Sequence, residues 1–185
     1  MIVLDGDIGI RRMRDDEDDY SKMREWCSRE HVKDTYSETE KSYEEIVEKY
    51  SVRTRGETDI TPAFIVYKGR DIGYIQFYPV DEEEYMLKGR YSLDGYEDPY
   101  GIDVFIGEEE LIGKGIGSKA VEMLSDYLLY KAGADIVLID PAADNKRAVA
   151  AYKKAGFREM TVLHQREVFR GECRDNLLMA KIRKE

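Results

Sequence analysis

The stretch ELIGKGIGSKAVEMLSDYLLYKAG, residues 110–133, decides the fold of this chain. Three glycines precede an apolar, helix-forming run: Gly113, Gly115 and Gly117. Glycines leave backbone N–H groups uncovered, and the first turn of a helix adds N–H groups at the positive end of its dipole. We therefore expect a phosphate-binding loop that opens a helix, with Gly133 as the C-terminal cap of that helix.

Two familiar kinds of glycine loop do not fit the order of residues. The dinucleotide fingerprint G-x-G-x-x-G fails because Ser118 occupies the place of the third glycine. The Walker loop fails because the chain contains no GK[ST] tripeptide. A strand, a bend, G-x-G-x-G and a helix remain. For the loop taken alone, a glycine-rich turn without a ligand is the alternative interpretation.

The surrounding segments predict one α/β domain over residues 1–185. Strand patterns occupy DIGIRRM (7–13), AFIVYKGRDIGYIQFYPV (63–80, a hairpin), YGIDVFIG (100–107), DIVLID (135–140), FREMTVLH (157–164) and NLLMAKI (176–182). Helical patterns occupy RDDEDDYSKMREWCSRE (14–30), SETEKSYEEIVEKY (37–50), SKAVEMLSDYLLYKAG (118–133) and DNKRAVAAYKKAG (144–156). The order β-α-α-β-β-β-α-β-α-β-β is typical of a mixed sheet with helices packed on it.

Two of these helices carry local signals. Four apolar side chains of the first fall on one helical face: Tyr20, Met23, Trp26 and Cys27. The second begins with a capping-box pattern from Ser37 to Glu40.

Composition limits the classes of function. A formal net charge of -10 repels nucleic acid and anionic membranes and attracts cationic ligands, although acidity can also serve solubility alone. Cys27 and Cys173 form no CxxC motif, so we expect neither a disulfide framework nor a metal site. No segment is long and apolar enough for a signal peptide or a membrane span, which favours a cytoplasmic protein.

The pattern of strand, GKGIG, helix, strand ending in DP, and N-x-R-A-x-x-x-Y-x-K-A-G-F resembles the GCN5-related N-acetyltransferase (GNAT) superfamily. The residues that carry it are Gly113, Lys114, Gly115, Ile116, Gly117, Asn145, Arg147, Ala148, Tyr152, Lys154, Ala155, Gly156 and Phe157. Together with YGIDVFIG and IGYIQFY, the pattern is most similar to the aminoglycoside 6'-N-acetyltransferases. The resemblance implies the GNAT fold, with acetyl-CoA bound between splayed parallel strands of a mixed central sheet flanked by helices.

The resemblance also implies which residues bind acetyl-CoA. They are Phe105, Ile106, Ile112, Gly113, Lys114, Gly115, Ile116, Gly117, Ser118, Asn145, Ala148, Tyr152 and Lys154. Ile112 departs from the Gln or Arg that is usual there, which we expect to be tolerated because backbone amides bind most of the phosphate. A main-chain amide near Phe105 or Ile106 is expected to bind the oxyanion. Lys114 can equally be a solvated loop lysine.

Two residues are candidates for catalysis. Asp103 lies inside an apolar strand, where its carboxylate needs a partner such as a substrate ammonium, whose proton it could accept directly or through water. Tyr152 is expected by resemblance to lie near the sulfur. A phenol has a pKa of about 10 and a thiol of roughly 8.5, so Tyr152 can protonate the departing thiolate. A packed core tyrosine is the alternative.

Further residues are candidates for binding a cationic acceptor. Gln76 and Tyr78 share one face of a strand. Glu97 and Asp98 end an acidic, tyrosine-containing segment, residues 81–99, which is either a substrate flap or a solvated loop. Asp140 ends an apolar strand, where ligands of open α/β sheets lie, but it can also cap the next turn.

The sequence therefore favours an acetyl-CoA-dependent N-acetyltransferase acting on the 6'-amine of aminoglycosides by direct transfer, without a metal. The same chemistry on a polyamine, a protein N-terminus or a lysine side chain is one alternative. A sensor that binds acetyl-CoA or a cationic drug without turnover is another. His31 and His164 have no triad partners in the sequence. A monomer or a homodimer is expected.

Overall fold

The computed structural model describes residues 1–37, 39–81, 83 and 90–184. The strands are β1 (Val3–Asp5), β2 (Ile8–Arg12), β3 (Thr61–Tyr67), β4 (Arg70–Pro79), β5 (Pro99–Ile106), β6 (Ile136–Ile139), β7 (Arg158–Phe169) and β8 (Glu172–Ile182). The helices are α1 (Glu17–Cys27), α2 (Glu30–Val32), α3 (Tyr43–Thr54), α4 (Ile116–Tyr127) and α5 (Lys146–Lys154). Short helical turns cover Lys33–Ser37, Glu109–Leu111 and Leu128–Ala132.

The chain divides into two compact units. Unit 1 contains Met1–Phe77 and Asp103–Ala120, and unit 2 contains Tyr78–Ile102 and Val121–Glu185. Strands β4 and β5 and helix α4 pass from one unit into the other. The single domain expected over residues 1–185 stays a prediction.

Unit 1 is an antiparallel sheet with helices on it. Its strands follow the order β1-β2-β3-β4, with Ile10 opposite Ile65 in the β2–β3 pair. The helices bury one apolar cluster, whose fully or largely buried members are Met13, Tyr20, Met23, Trp26, Cys27, Val32, Ile46, Tyr50, Phe64, Tyr74 and Phe105. The predicted face of α1 is confirmed, because its four apolar side chains all belong to this cluster.

The start of unit 1 and the start of α3 differ from the predictions. Strand β1 was not expected, and it pairs with β2 to form an additional hairpin. The capping box is formed by Ser42 and Glu45, which bond each other's backbone N–H, and not by Ser37 and Glu40. Both pairs match the S-x-x-E pattern, and only the second precedes the apolar residues that α3 buries.

Unit 2 provides the parallel strands. Pro99–Gly101 of β5 pairs in parallel with Ile136–Leu138 of β6, and β8 pairs antiparallel with both β6 and β7. Gly133 has a φ of 97° and closes the helical segment after α4, as predicted. The core of this unit is formed by Val80, Leu93, Ile136, Leu138, Leu163, Leu178 and Ala180. The predicted mixed α/β fold is therefore confirmed.

Gly107 lies against the fully buried ring of Trp26, and a methyl group there has no room. A Cβ at Gly107 would come within 2.4–2.5 Å of three ring atoms, whereas one at Gly117 would approach Ile106 only to 3.4 Å. We expect Gly107→Ala to lower the free energy of unfolding by about 1–3 kcal/mol, because the core must shift. Urea unfolding measures this, with Gly117→Ala as the matched control. Equal midpoints for the two variants would show that Trp26 moves aside without strain.

Candidate active site

Asp103 and Gln76 are brought together in unit 1. Asp103 lies on β5 and Gln76 on β4, and the Gln76 Nε2 amide donates to Asp103 Oδ2 at 2.5 Å. Gln76 is buried, whereas Asp103 is only partly buried. Burial of an amide beside a carboxylate requires that each polar atom has a partner. The pair therefore holds the carboxylate in one orientation while leaving part of it accessible.

The oxygen of the Gln76 amide is bound from two sides. Arg53 Nη1, at the end of α3, donates to Gln76 Oε1 at 2.8 Å, and the Tyr74 hydroxyl donates to the same oxygen at 2.7 Å. Neither Arg53 nor Tyr74 was among the predicted site residues. Tyr74 could have been found, because it shares a strand face with Gln76 and Tyr78. No local signal in the sequence points to Arg53.

Aromatic rings lie near this carboxylate, whose charge acts on Tyr36, Tyr50 and Tyr74. Ring centroids lie 4.8 Å apart for Tyr36 and Phe105, and 5.7 Å apart for Tyr74 and Phe105. Burial raises the pKa values of Tyr36, Tyr50 and Tyr74, and the negative charge of Asp103 adds to each shift. These hydroxyls are therefore protonated over the physiological pH range and can act as hydrogen-bond donors.

A pocket of about 370 Å³ opens beside these rings, between α1 and α3. It is lined by Cys27, Tyr36, Lys41, Glu45, Ile46, Glu48, Lys49 and Tyr50. Burial, followed by the nearby charge of Arg53, lowers the pKa of Lys49. The Tyr50 hydroxyl is buried in this wall beside the Tyr36 hydroxyl, and each alters the pKa of the other. The pocket thus offers aromatic faces and hydroxyl groups to a ligand, with charges of both signs at its wall.

The glycine loop has the conformation that a phosphate cradle requires. Gly113 and Gly115 have φ values of 78° and 80°, which favour glycine, and a Cβ at Gly113 would meet nothing within 4 Å. The N–H of Lys119 makes the first helical hydrogen bond, to Gly115 O. The amides of Ile116, Gly117 and Ser118 therefore form the first turn of α4, where backbone N–H groups lack helical partners. The side chains of Ile116 and Ser118 are buried, so their backbone is what this loop can present to a ligand.

The end of β5 leads into this loop and is held by hydrogen bonds of its backbone. Ile72 O accepts from Gly107 N at 2.8 Å and from Glu108 N at 3.1 Å. His31 Nε2 donates to Ile106 O at 3.0 Å, a contact that no spacing in the sequence suggested. The Phe105 side chain is buried in the apolar cluster, so its backbone is the part that could bind acetyl-CoA or an oxyanion.

Glu108 lies in the turn between β5 and the glycine loop, and its carboxylate forms charged hydrogen bonds that hold this turn in place. Desolvation raises the pKa of this carboxyl, but hydrogen bonds from Arg29, Trp26 and Lys22 outweigh it and lower the pKa to about 2. Arg29 Nη1 binds both Glu108 Oε2 and Gly107 O at 2.7 Å. The turn before the glycine loop is thus held by an ionised, hydrogen-bonded carboxylate.

In unit 2, the predicted residues of α5 lie on one helix. Asn145 caps it, because its Oδ1 accepts from Ala148 N at 3.1 Å. Tyr152 is half-buried and its ring centroid lies 6.4 Å from that of Phe157. Lys154 is exposed. The side-chain oxygen of Asn145 therefore caps α5, and the side-chain nitrogen is the atom that the predicted contact with acetyl-CoA would use.

Asp140 follows β6 directly, at the carboxyl end of that strand, as predicted. Arg166 Nε donates to Asp140 Oδ2 at 3.1 Å, and the side chains of Asp140 and Arg166 are only 13% and 14% exposed. Asn176 Nδ2 donates to Asp140 O at 2.7 Å. Asp140 thus already has a cationic partner, which the sequence did not reveal, and a substrate ammonium there would share or displace Arg166.

Glu97 and Asp98 are not brought together with Asp140. Both precede β5, and both contact Asp135, which comes just before the parallel strand β6. Asp135 Oδ2 accepts from Glu97 N, and the backbone N–H of Asp135 donates to Asp98 O. Strand β6 rises by about 13 Å from this end to the end where Asp140 lies. Residues 82 and 84–89 of the proposed flap lie outside the described residues.

Tyr78 packs in unit 2, where its ring covers Gly101 of β5. A Cβ at Gly101 would come within 2.6 Å of that ring. Tyr78 also packs against the apolar cluster of this unit. Its predicted contact with substrate stays a prediction.

No group of three or more His, Cys, Asp or Glu side chains in the part of the chain that the structure describes is placed to hold a metal ion. No helix within it combines the length and the apolar composition needed to cross a bilayer.

Comparison with known proteins gives a consistent result. A sequence model of the acetyltransferase (GNAT) domain matches residues 15–164. The aminoglycoside N(6')-acetyltransferase type 1 of Klebsiella pneumoniae is 30% identical over 155 residues, which cover 79% of this chain and 73% of that protein.

Among solved structures, aminoglycoside acetyltransferase AAC(6')-Ib in complex with coenzyme A and kanamycin has a TM-score of 0.74 at 24% identity, covering 95% of each chain. Spermidine N-acetyltransferase from Vibrio cholerae in complex with coenzyme A and spermine has a TM-score of 0.75 at 16% identity, covering 96% of each chain. These two likenesses concern the fold alone. On the family match and the identity to the Klebsiella protein, the chain belongs to the GNAT acetyltransferase family.

Proposed function

We propose that this protein transfers the acetyl group of acetyl-CoA to the 6'-amine of aminoglycosides, and thereby confers resistance to them. The observation that carries the proposal is Asp103, a partly accessible carboxylate held by a buried amide, whose charge acts on the rings of Tyr36, Tyr50 and Tyr74. Such a site suits a protonated amine on a sugar, because the carboxylate binds the ammonium and the rings cover apolar faces. The 30% identity to an aminoglycoside N(6')-acetyltransferase supports the same acceptor.

The residues of the loop fit acetyl-CoA as the donor. Gly113 and Gly115 leave an open approach to the backbone amides at the start of α4, which is what a diphosphate requires. When bound, acetyl-CoA supplies the acetyl group as a thioester. Lys114 is exposed and can add a positive charge beside the phosphates.

Three groups of the chain carry the proposed reaction. Asp103 accepts one proton of the bound ammonium, directly or through water, so that the neutral nitrogen can bond to the carbonyl carbon, and the second proton that the nitrogen loses on becoming an amide passes to water. A backbone N–H near Phe105 or Ile106 donates to the oxyanion. Tyr152 gives its proton to the sulfur as the carbon–sulfur bond breaks, so coenzyme A leaves as a thiol. No acyl-enzyme forms in this scheme.

Each candidate carboxylate has a cation close to it. In unit 1, Arg53 and Lys49 lie near Asp103, and in unit 2 Arg166 pairs with Asp140. An ammonium group that binds either carboxylate must therefore do so beside a positive charge. Because the reaction consumes acetyl-CoA, we propose that the enzyme works in the cytoplasm. We expect it to be a monomer or a homodimer.

The test is release of coenzyme A thiol from acetyl-CoA in the presence of kanamycin. The matched acceptor is an analogue that carries a 6'-hydroxyl in place of the 6'-amine. We expect release with kanamycin alone, because only the amine forms a stable amide at that position. Equal release with both would move the reaction to another amine. Release with spermidine or a peptide but not with kanamycin would replace the proposed acceptor.

A further inference from the structure

Arg53 is joined to the Asp103 carboxylate through the side chain of Gln76. Its Nη1 donates to Gln76 Oε1 at 2.8 Å, and Gln76 Nε2 donates to Asp103 Oδ2 at 2.5 Å. The chain Arg53–Gln76–Asp103 thus runs from the last turn of α3 across β4 to β5. All three residues belong to unit 1.

The direction of this chain follows from the chemistry of arginine. A guanidinium has only donors, so the atom that it contacts must be the amide oxygen of Gln76. The nitrogen of the same amide then faces Asp103, as a carboxylate requires. The Tyr74 hydroxyl cannot select this orientation by itself, because a hydroxyl accepts as readily as it donates.

We propose that Arg53 is a positioning residue that, by fixing the amide of Gln76, holds the Asp103 carboxylate in the orientation that acetyl transfer requires. This inference rests on the function proposed above. Without Arg53, the Gln76 oxygen loses its charged donor, and the amide is held from that side by the Tyr74 hydroxyl alone. The amide then moves more freely and Asp103 moves with it, so fewer molecules hold the carboxylate ready to accept the proton.

Arg53 is suited to this role by its surroundings. Its guanidinium lies 5.3 Å from the ring centroid of Tyr50, and the side chain is partly buried. The planar guanidinium presents its donors in a fixed geometry, which suits it to hold an amide oxygen in one place.

A double-mutant cycle tests whether Arg53 acts through Gln76. We expect Arg53→Gln to lower kcat/KM for kanamycin by about tenfold, the value of one hydrogen bond to a charged group. Gln76→Ala should lower it further, and the double variant should be no slower than Gln76→Ala alone. Arg53→Lys, which keeps a charged donor, should recover most of the loss. Losses that multiply in the double variant would overturn the proposal.

A second readout does not depend on the acceptor. In ¹⁵N-labelled protein, the side-chain amide signals of Gln76, assigned by their absence in Gln76→Ala, should shift in Arg53→Gln. The matched control is Arg55→Gln, which removes an arginine that pairs with Asp15 and should leave both these signals and turnover unchanged. Unchanged Gln76 signals in Arg53→Gln would refute the positioning role. Shifted signals together with no turnover of any aminoglycoside would reject the proposed function instead.

Discussion

Asp103→Asn is expected to reduce kcat/KM for an aminoglycoside by about 10²–10⁴-fold, the usual range for loss of a general base. The substitution keeps the size of the side chain and its contact with Gln76, so the fold should survive. It removes the charge that binds the ammonium and the group that accepts the proton. The KM for acetyl-CoA should remain unchanged, because the glycine loop is untouched.

The pH dependence of this loss in kcat/KM shows whether Asp103 acts as a base or only binds the ammonium group. Without a base, the variant must rely on acceptor that is already neutral, so its kcat/KM should rise with pH toward the pKa of the acceptor amine. The wild-type rate should level off at a lower pH. Initial rates across pH measure both, with Asp71→Asn as the control, since Asp71 is a carboxylate of the same unit that pairs with Arg11. Parallel pH profiles for wild type and Asp103→Asn would assign Asp103 to binding alone.

The parts of the fold that the sequence predicts are those governed by local physics. The glycines at 113 and 115 need positive φ, and the helix that follows them buries one apolar face. The apolar run at 136–139 becomes a parallel strand with buried sides. Each of these features depends on spacing within about twenty residues, which a sequence displays directly.

The contacts that the sequence does not predict join distant segments. Arg53 meets Gln76, and Arg166 meets Asp140 across 26 positions. Long charged side chains are common on surfaces, so neither arginine differs from a solvated one until the fold is known. The same ambiguity explains the capping box, because Ser37 and Ser42 both precede a glutamate by three positions.

The acidic segment before β5 shows a second limit of prediction from sequence, which concerns the position of residues along a strand. Its composition suits a cationic acceptor, but composition carries no information about which end of a strand a residue occupies. Glu97 and Asp98 are held at the amino end of β5 by Asp135. Ligands of parallel strands bind beyond the carboxyl ends, where Asp140 lies. Topology thus favours Asp140 over Glu97 and Asp98 as a residue of the acceptor site.

Tyr152→Phe is expected to lower kcat by about 10²-fold, with little change in KM for either substrate. The variant removes the hydroxyl that would protonate the departing sulfur, and it retains the ring beside Phe157. Because the packing of the ring is kept, the free energy of unfolding should change far less than kcat. Tyr130→Phe, at an exposed tyrosine, is the matched control and should have no effect on kcat. Steady-state rates with both substrates varied distinguish the two variants.

Fluorination of Tyr152 separates an acid from a merely well-packed ring. Because fluorine makes a phenol more acidic, a difluorotyrosine at position 152 loses its proton at a lower pH than tyrosine does. An acid must be protonated to act, so the alkaline limb of the kcat profile should move to lower pH by the same amount. A ring that only packs would leave that limb in place, and the proton for the thiolate would then have to come from water or from coenzyme A itself.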